Sequence, residues 1–319
     1  MSRTKTKDIR KQLKHGRSTS SKSIFVLSDV HIGSTEAACS DSAFMSNQGG
    51  YFKPRKRNKM IYDFIISSKD KLKNGKPYMI ICNGESIDGP DNKGRGKQTW
   101  SNNPIDQTNE VCKIFKQLPV QNGNRFFVKG SNYHISVNNN MNIEEIVAEK
   151  MNAKIISLYG EEQDYQPMTI PVFSGDDYYQ NYIEYPRTSR IFHFSIFNKY
   201  LHFAHPIASS MNFMYRATPL AREMMILKLE AGRAFPIEET PHIVIRSHTH
   251  HYTEVGYCHS AGRITAGLQL PNDFQLNSHI AGSFFDIGVL EIIIEPNGEF
   301  NFTKIFAPDE ITQCKVYKY

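Results

Sequence analysis

Short apolar runs recur along the chain, and polar residues that are not ordinary turn formers close them. Ile24-Phe25-Val26-Leu27 reads as a strand buried on both faces, being apolar without alternation and mostly of β-favouring types. Tyr78 to Cys82, Phe126 to Val128 and His242 to Arg246 repeat that pattern. Between these runs the period changes. Met60, Ile61, Phe64, Ile65 and Leu72 recur at helical spacing, with Asn74-Gly75 as a stop. Val111, Ile114 and Phe115 mark a helix over about 106–118, and Ile143, Ile146, Val147 and Met151 another over 142–151. Ile191 to Phe197, a turn at Asn198-Lys199 and Tyr200 to His205 predict two more strands. A helix over about 220–231 ends at Gly232, and further strands run to Phe306. Alternating strands and helices predict an α/β core. Residues after Gly33 read as a polar loop containing Gly49-Gly50, which leads into the basic cluster Lys53, Arg55, Lys56, Arg57 and Lys59.

The chemistry follows the strands. The first run ends in Asp29-x-His31, whose two side chains share one face of an extended segment and converge beyond the strand end. The Cys82 run ends in Gly84-Glu85-x-x-Asp88, and the Val128 run in Gly130-Ser131-Asn132-Tyr133-His134. The Tyr200 run carries His202 and His205, and the Ile245 run ends in Ser247-His248-Thr249-His250. Ligand sites of α/β proteins lie outside the carboxyl ends of strands. A mixed set of imidazole and carboxylate donors there suits transition metals better than Mg²⁺ alone.

Taken in order, these motifs resemble the calcineurin-like metallophosphoesterase superfamily, whose pattern is DxH, GDxxD, GNH(D/E), H, GHxH. The likeness runs from about residue 24 to 250, and the chain is most similar to the stand-alone phosphoesterases encoded by phages and other mobile elements. It implies a two-sheet β-sandwich flanked by helices, layered αββα, with two divalent transition-metal ions (Mn, Fe or Zn) at the strand ends. By the same resemblance Asp29, His31 and His250 hold one ion, Asn132, His205 and His248 the other, and Glu85 bridges them. His134 assists the leaving oxygen, and Asp88 orients its ring. Three departures stand out. Glu85 replaces a bridging Asp and is one methylene longer; the Gly130–His134 motif carries inserted residues; and Gly89 stands where the protein Ser/Thr phosphatases have a phosphate-binding Arg. Ser247 replaces a Gly, a change the pattern gives little weight. His202 is an alternative to His205, whereas packing or surface roles suit His193, His251 and His259.

Charge adds a question about partners. The 319 residues carry a net +6, but residues 1–22 hold eight Lys/Arg against Asp8 alone, a net of +7 that leaves the rest at −1. This segment is expected to be a disordered basic tail on one domain over 23–319. Residues 159–188 are acidic and Tyr-rich, and read as an insertion or lid. Lys93, Arg95 and Lys97 lie where a substrate phosphate chain could pass. Five scattered cysteines without a CxxC, no apolar leader and no membrane-length run predict a cytoplasmic, reducing setting and no membrane partner. The expected function is a dimetal phosphodiesterase or nuclease acting on nucleic acid or nucleotides. The alternatives are a phosphomonoesterase and a non-catalytic binding or assembly protein that keeps the fold. Oligomeric state has no signature in the sequence.

Overall fold

The computed structural model describes residues 20–73, 75–90, 98–131, 134, 136–137, 141–154, 187–208, 213–234, 240–257, 259–271 and 285–312. Its frame is two stacked sheets. The first contains β1 (Lys22–Leu27), β4 (Met79–Asn83), β5 (Arg125–Val128) and β8 (Thr188–Ser189), all parallel, with β14 (Gly288–Ile294) added antiparallel beside β1 and β15 (Phe300–Phe306) antiparallel beside β14. The second runs in the order β12 (Thr253–Tyr257), β13 (Ser260–Ile264), β11 (Ile243–Arg246), β10 (Lys199–Ala204) and β9 (Ile191–Ile196). In it β10, β11 and β13 are parallel. Two short hairpins complete the strands: β2 (Ala43–Met45) with β3 (Gly50–Phe52), and β6 (Ser136–Val137) with β7 (Met141–Asn142).

Strand alternation assigns each side chain to a layer. Ile24, Val26, Ile81, Val128 and Ile292 face the other sheet and meet Leu201, Phe203, Ile243 and Ile245. Phe25, Leu27, Ile80, Cys82 and Phe127 face outward onto helices α1 (Lys56–Ser68), α2 (Pro104–Phe115) and α3 (Ile143–Lys150), through Ile61, Ile65, Val111, Ile114 and Val147. On the far side, Leu220 and Met224 of α4 (Thr218–Ala234) cover Val244 and Ile264 of the second sheet. The layers are therefore helix, sheet, sheet, helix, as expected. A last turn, α5 (Asp309–Thr312), buries Ile311 in the first helical layer.

The differences from expectation have local causes. The polar loop contains the β2–β3 hairpin, whose three-residue strands are too short to show a period. Helix α1 starts four residues ahead of its apolar pattern because the Asn58 side chain accepts the Arg55 N–H at 2.9 Å. The basic cluster is thus largely the first turn of a helix. Within it Arg55 pairs with Glu36 and Lys59 with Asp41, each at 2.8 Å. Lys22, counted with the tail for its charge, is the first residue of β1 and lies over the Tyr78 ring. Thr188, at the end of the expected insertion, belongs to β8. Residues 1–19 of the tail and 155–186 of the insertion lie outside the described residues. No helix is long and apolar enough to cross a membrane among the described residues.

Helix α2 carries a clear stability test. The Asn103 side-chain oxygen accepts the Ile105 N–H at 3.0 Å, and Pro104 opens the first turn, where its missing N–H costs nothing. Asn103→Ala is expected to cost about 1 kcal/mol. It should appear as a lower urea midpoint at unchanged slope.

Candidate metal centre

The carboxyl ends of the parallel strands of both sheets meet at one edge of the sandwich, and main-chain bonds weld their exit loops together. Asp29 donates its N–H to the Gly84 carbonyl at 3.1 Å, and Val30 and His31 donate to that of Glu85 at 2.9 and 3.0 Å. Within the second sheet Ser247 N–H donates to the His205 carbonyl at 3.0 Å, and across the sandwich Leu268 N–H donates to that of Asp29 at 2.9 Å. The Asn83 amide donates to Ser247 Oγ at 2.6 Å and to the Ala204 carbonyl at 3.2 Å. Ser247 Oγ in turn shares a hydrogen bond with Thr265 at 2.8 Å, and Thr265 another with Ser28 at 2.6 Å. This buried hydroxyl belt lies beneath the site and joins the sheets, so Ser247 has more consequence than its small size suggests.

Above the belt the donors form three groups: His31, Asp88 and His134 make one, and the other two share Glu85. Asp29, His31, Glu85 and His250 bring ligand atoms within 4.8 Å of one another, and so do Glu85, His205 and His248. One Glu85 oxygen, Oε2, lies 3.0 Å from His31 Nε2; the other, Oε1, lies 3.1 Å from His205 Nε2 and 3.6 Å from His248 Nδ1. His250 Nε2 stands 3.5 Å from Asp29 Oδ1. The rings also approach in pairs: His31 Nε2 is 3.3 Å from His250 Nε2, and His205 Nε2 is 3.3 Å from His248 Nδ1. Two nitrogens that each sit about 2.0–2.1 Å from one tetrahedral cation stand about 3.3–3.4 Å apart, so both pairs match a divalent ion of zinc-like size. Each group offers donors that could hold a divalent ion.

The rings are held from behind. His31 Nδ1 meets the Asp88 carboxylate at 3.2 Å, and His205 Nδ1 donates to the Asn83 carbonyl at 2.8 Å, which leaves each Nε2 for the centre. Asp88 reaches both the His31 and the His134 rings. Its carboxylate holds His31 and stays 3.9 Å from His134 Nδ1, while its main-chain carbonyl accepts from that nitrogen at 2.6 Å. The cause is the turn at Gly89, where φ is +76° and an added Cβ would lie 2.5 Å from the His134 carbonyl oxygen. His202 is not part of the centre: on β10 it opposes His193, with Arg246 nearby, and three residues from His205 it faces the other way. His251 stacks on Phe285. Asn132 and the basic residues Lys93, Arg95 and Lys97 lie outside the described residues.

The electrostatics follow from burying the carboxylates of Asp29, Glu85 and Asp88 among five imidazoles. Burial pulls the His31 pKa down, but the bonds and charges of Asp88 and Glu85 more than offset it and raise it to about 10. His205 likewise is lowered by burial and raised, on balance, to about 9 by Glu85 and Asp29. His250 is driven well below its ordinary value by burial and by His31, and burial lowers His134. Burial raises Asp29, whereas Glu85 is held well down, the charges of His205 and His134 outweighing its burial.

The backbone is strained where the donors sit. Asp29 and His31 have φ of 48°, Glu85 and His250 of 55°, and His248 of 77°. Left-handed non-glycine residues cost about 1–3 kcal/mol each and collect at functional sites. Two further residues support the centre: Glu144, which no motif marks, and Ser131, which lies inside the Gly130–His134 motif without an assigned role. Glu144, fully buried in the first turn of α3, accepts the N–H groups of Ser86 and Gly130. Ser131 donates its hydroxyl to Glu85 Oε1 at 2.6 Å.

No family model matches the sequence, and no curated protein matches it. Among solved structures the chain is similar to a predicted phosphoesterase of Streptococcus pneumoniae at 10% identity, covering 91% of this chain and 99% of that one, with a TM-score of 0.34. It is also similar to zinc-complexed Vps29 of Entamoeba histolytica at 10% identity, covering 90% and 99%, with a TM-score of 0.37. A third is an archaeal phosphodiesterase at 9% identity, covering 89% and 99%, again with a TM-score of 0.37. These superpositions are loose.

Proposed function

We propose that the chain is a dimetal phosphoester hydrolase of the calcineurin-like metallophosphoesterase type, acting as a phosphodiesterase or nuclease on nucleic acid or nucleotides. The observation that carries this reading is the pair of donor groups sharing Glu85 at the strand ends. Asp29, His31 and His250 would hold one ion, His205 and His248 with Asn132 the other, and Glu85 would serve both. Two divalent cations bound there supply positive charge to the phosphoryl oxygens and acidify water near neutral pH. The protein's own part is placement. Asp88 and Asn83 fix the faces that His31 and His205 present, and the short Ser131–Glu85 bond fixes the shared carboxylate. His134 keeps its Nδ1 proton against the Asp88 carbonyl, so Nε2 is the atom that exchanges a proton with the substrate's leaving oxygen. Lys93, Arg95 and Lys97 follow Asp88 in sequence and are proposed to contact substrate phosphates.

The test is a substrate panel in Mn²⁺: single- and double-stranded DNA, RNA, cyclic nucleotides, a nitrophenyl phosphodiester and a nitrophenyl phosphomonoester. The proposal expects close to two ions per chain and turnover of diesters ahead of monoesters. A folded protein that takes up no divalent ion overturns it. A second measurement addresses His134. Proton transfer contributes about 10²–10⁴-fold when the leaving alkoxide is poor and far less when it is a nitrophenolate. His134→Asn should therefore keep both ions, lose most activity on nucleic acid and retain much on the nitrophenyl diester. Equal loss on both, with one ion released, would make His134 a ligand instead.

A further inference from the structure

Glu144 makes no hydrogen bond or ion pair with the candidate metal donors among the described residues, yet it is fully buried and both its oxygens are committed. Oε1 accepts the Ser86 N–H at 3.2 Å, and Oε2 accepts the Gly130 N–H at 2.7 Å. These amides belong to different loops, one leaving β4 and the other β5, and each is next to a residue at the centre. Ser86 follows Glu85. Gly130 precedes Ser131, which donates both its hydroxyl, at 2.6 Å, and its N–H, at 3.3 Å, to Glu85 Oε1. The two loops touch where Glu85 passes between them: a Cβ on Gly130 would lie 2.6 Å from Glu85 Cγ and 2.7 Å from its nitrogen. Burying an ionisable carboxylate is costly unless its hydrogen bonds are made. Here they are made to two amides that bracket one side chain.

We infer that Glu144 is a positioning residue for the metal centre: it clamps the Glu85–Ser86 and Gly130–Ser131 segments at the spacing that places the long Glu85 carboxylate between the two donor groups. The inference rests on the reading of Glu85 as a shared ligand. A carboxylate one methylene longer than Asp has an extra torsion to fix, and the contact with Gly130 and the bond from Ser131 fix it. Glu144 acts through those two residues. Its expected effect is on ion affinity, with no loss of a ligand.

The experiment is calorimetric titration of Mn²⁺ into the full-length protein, Glu144→Gln and Ser131→Ala, with thermal unfolding of each in chelator. Gln keeps one acceptor for one amide but sets its NH₂ against the other. Residues that orient metal ligands typically contribute about 10–100-fold in affinity. Both variants are expected to bind Mn²⁺ in that range more weakly, and Ser131→Ala at an unfolding temperature close to wild type. Should Glu144→Gln fail to fold, Ser131→Ala alone decides. Wild-type affinity in both variants, or a lower unfolding temperature with unchanged affinity, reduces Glu144 to an ordinary loop anchor and overturns the inference. A wild-type protein without Mn²⁺ uptake overturns the metal reading itself and the inference with it.

Discussion

Glu85→Ala is expected to empty both cation positions at once. Glu85 is common to the two donor groups, one oxygen facing His31 and the other facing His205 and His248. If it is shared as proposed, its removal would withdraw a ligand from each site and the negative charge between the two cations. Loss of an outer partner of a ligand typically costs about 10–100-fold in affinity, and loss of a shared ligand should exceed that at both sites. His250→Ala and His205→Ala serve as controls, since each should weaken one ion and spare much of the other. Metal content after dialysis and hydrolysis of a nitrophenyl diester give the readout. A Glu85→Ala variant that keeps either ion at wild-type affinity would show that the carboxylate is not shared.

Metal uptake is expected to be steeply pH-dependent. In the metal-free chain His31 and His205 titrate at about 10 and about 9, so both are protonated at neutral pH. Each ion must displace one of these protons. Its apparent affinity should therefore rise about tenfold per pH unit from the ordinary histidine range, flattening as pH passes 9 and then 10. The metal-free protein should move the other way. Both pKa values are raised by folding, so the stability they contribute is fully present below about 6.5 and is lost as pH rises through 9 and 10. Glu144, raised to about 7 by burial against the opposing pull of two amides, adds a loss in the same direction between about 4.5 and 7. Calorimetry in two buffers of different ionisation enthalpy should count close to one proton released per ion at pH 7.5. Proton-neutral, pH-independent uptake would contradict this charge pattern.

The parts legible in the sequence are those the parallel strands dictate. Strands buried on both faces must read as apolar runs, and the runs at Ile24, Tyr78, Phe126 and His242 led straight to Asp29, Glu85, Gly130 and His248. The choice between His202 and His205 stayed open in the sequence; the structure decides it by placing His205 Nε2 3.1 Å from Glu85 and pairing His202 with His193. What could not be read is what depends on loop geometry. The spacing of Asp88 does not reveal that a left-handed Gly89 sends its carbonyl to His134 and its carboxylate to His31. Glu144 looks like any acid in the first turn of a helix behind an Asn142 cap. Gln107 sits on a helix face like a surface residue, yet is fully buried and bonds both main-chain groups of Gly89. In each case a polar side chain serves main-chain groups that become its neighbours only in the folded chain.

The left-handed turns at the five donors bear on how this sequence could change. For a chain kept only as a scaffold, Gly would sit at these φ angles without steric cost, and Asn at less than His or Glu. Drift free of chemistry would thus tend to erase the donors while making the fold more comfortable. Asp29, His31, Glu85, His248 and His250 hold the chain away from that easier neighbourhood of sequences.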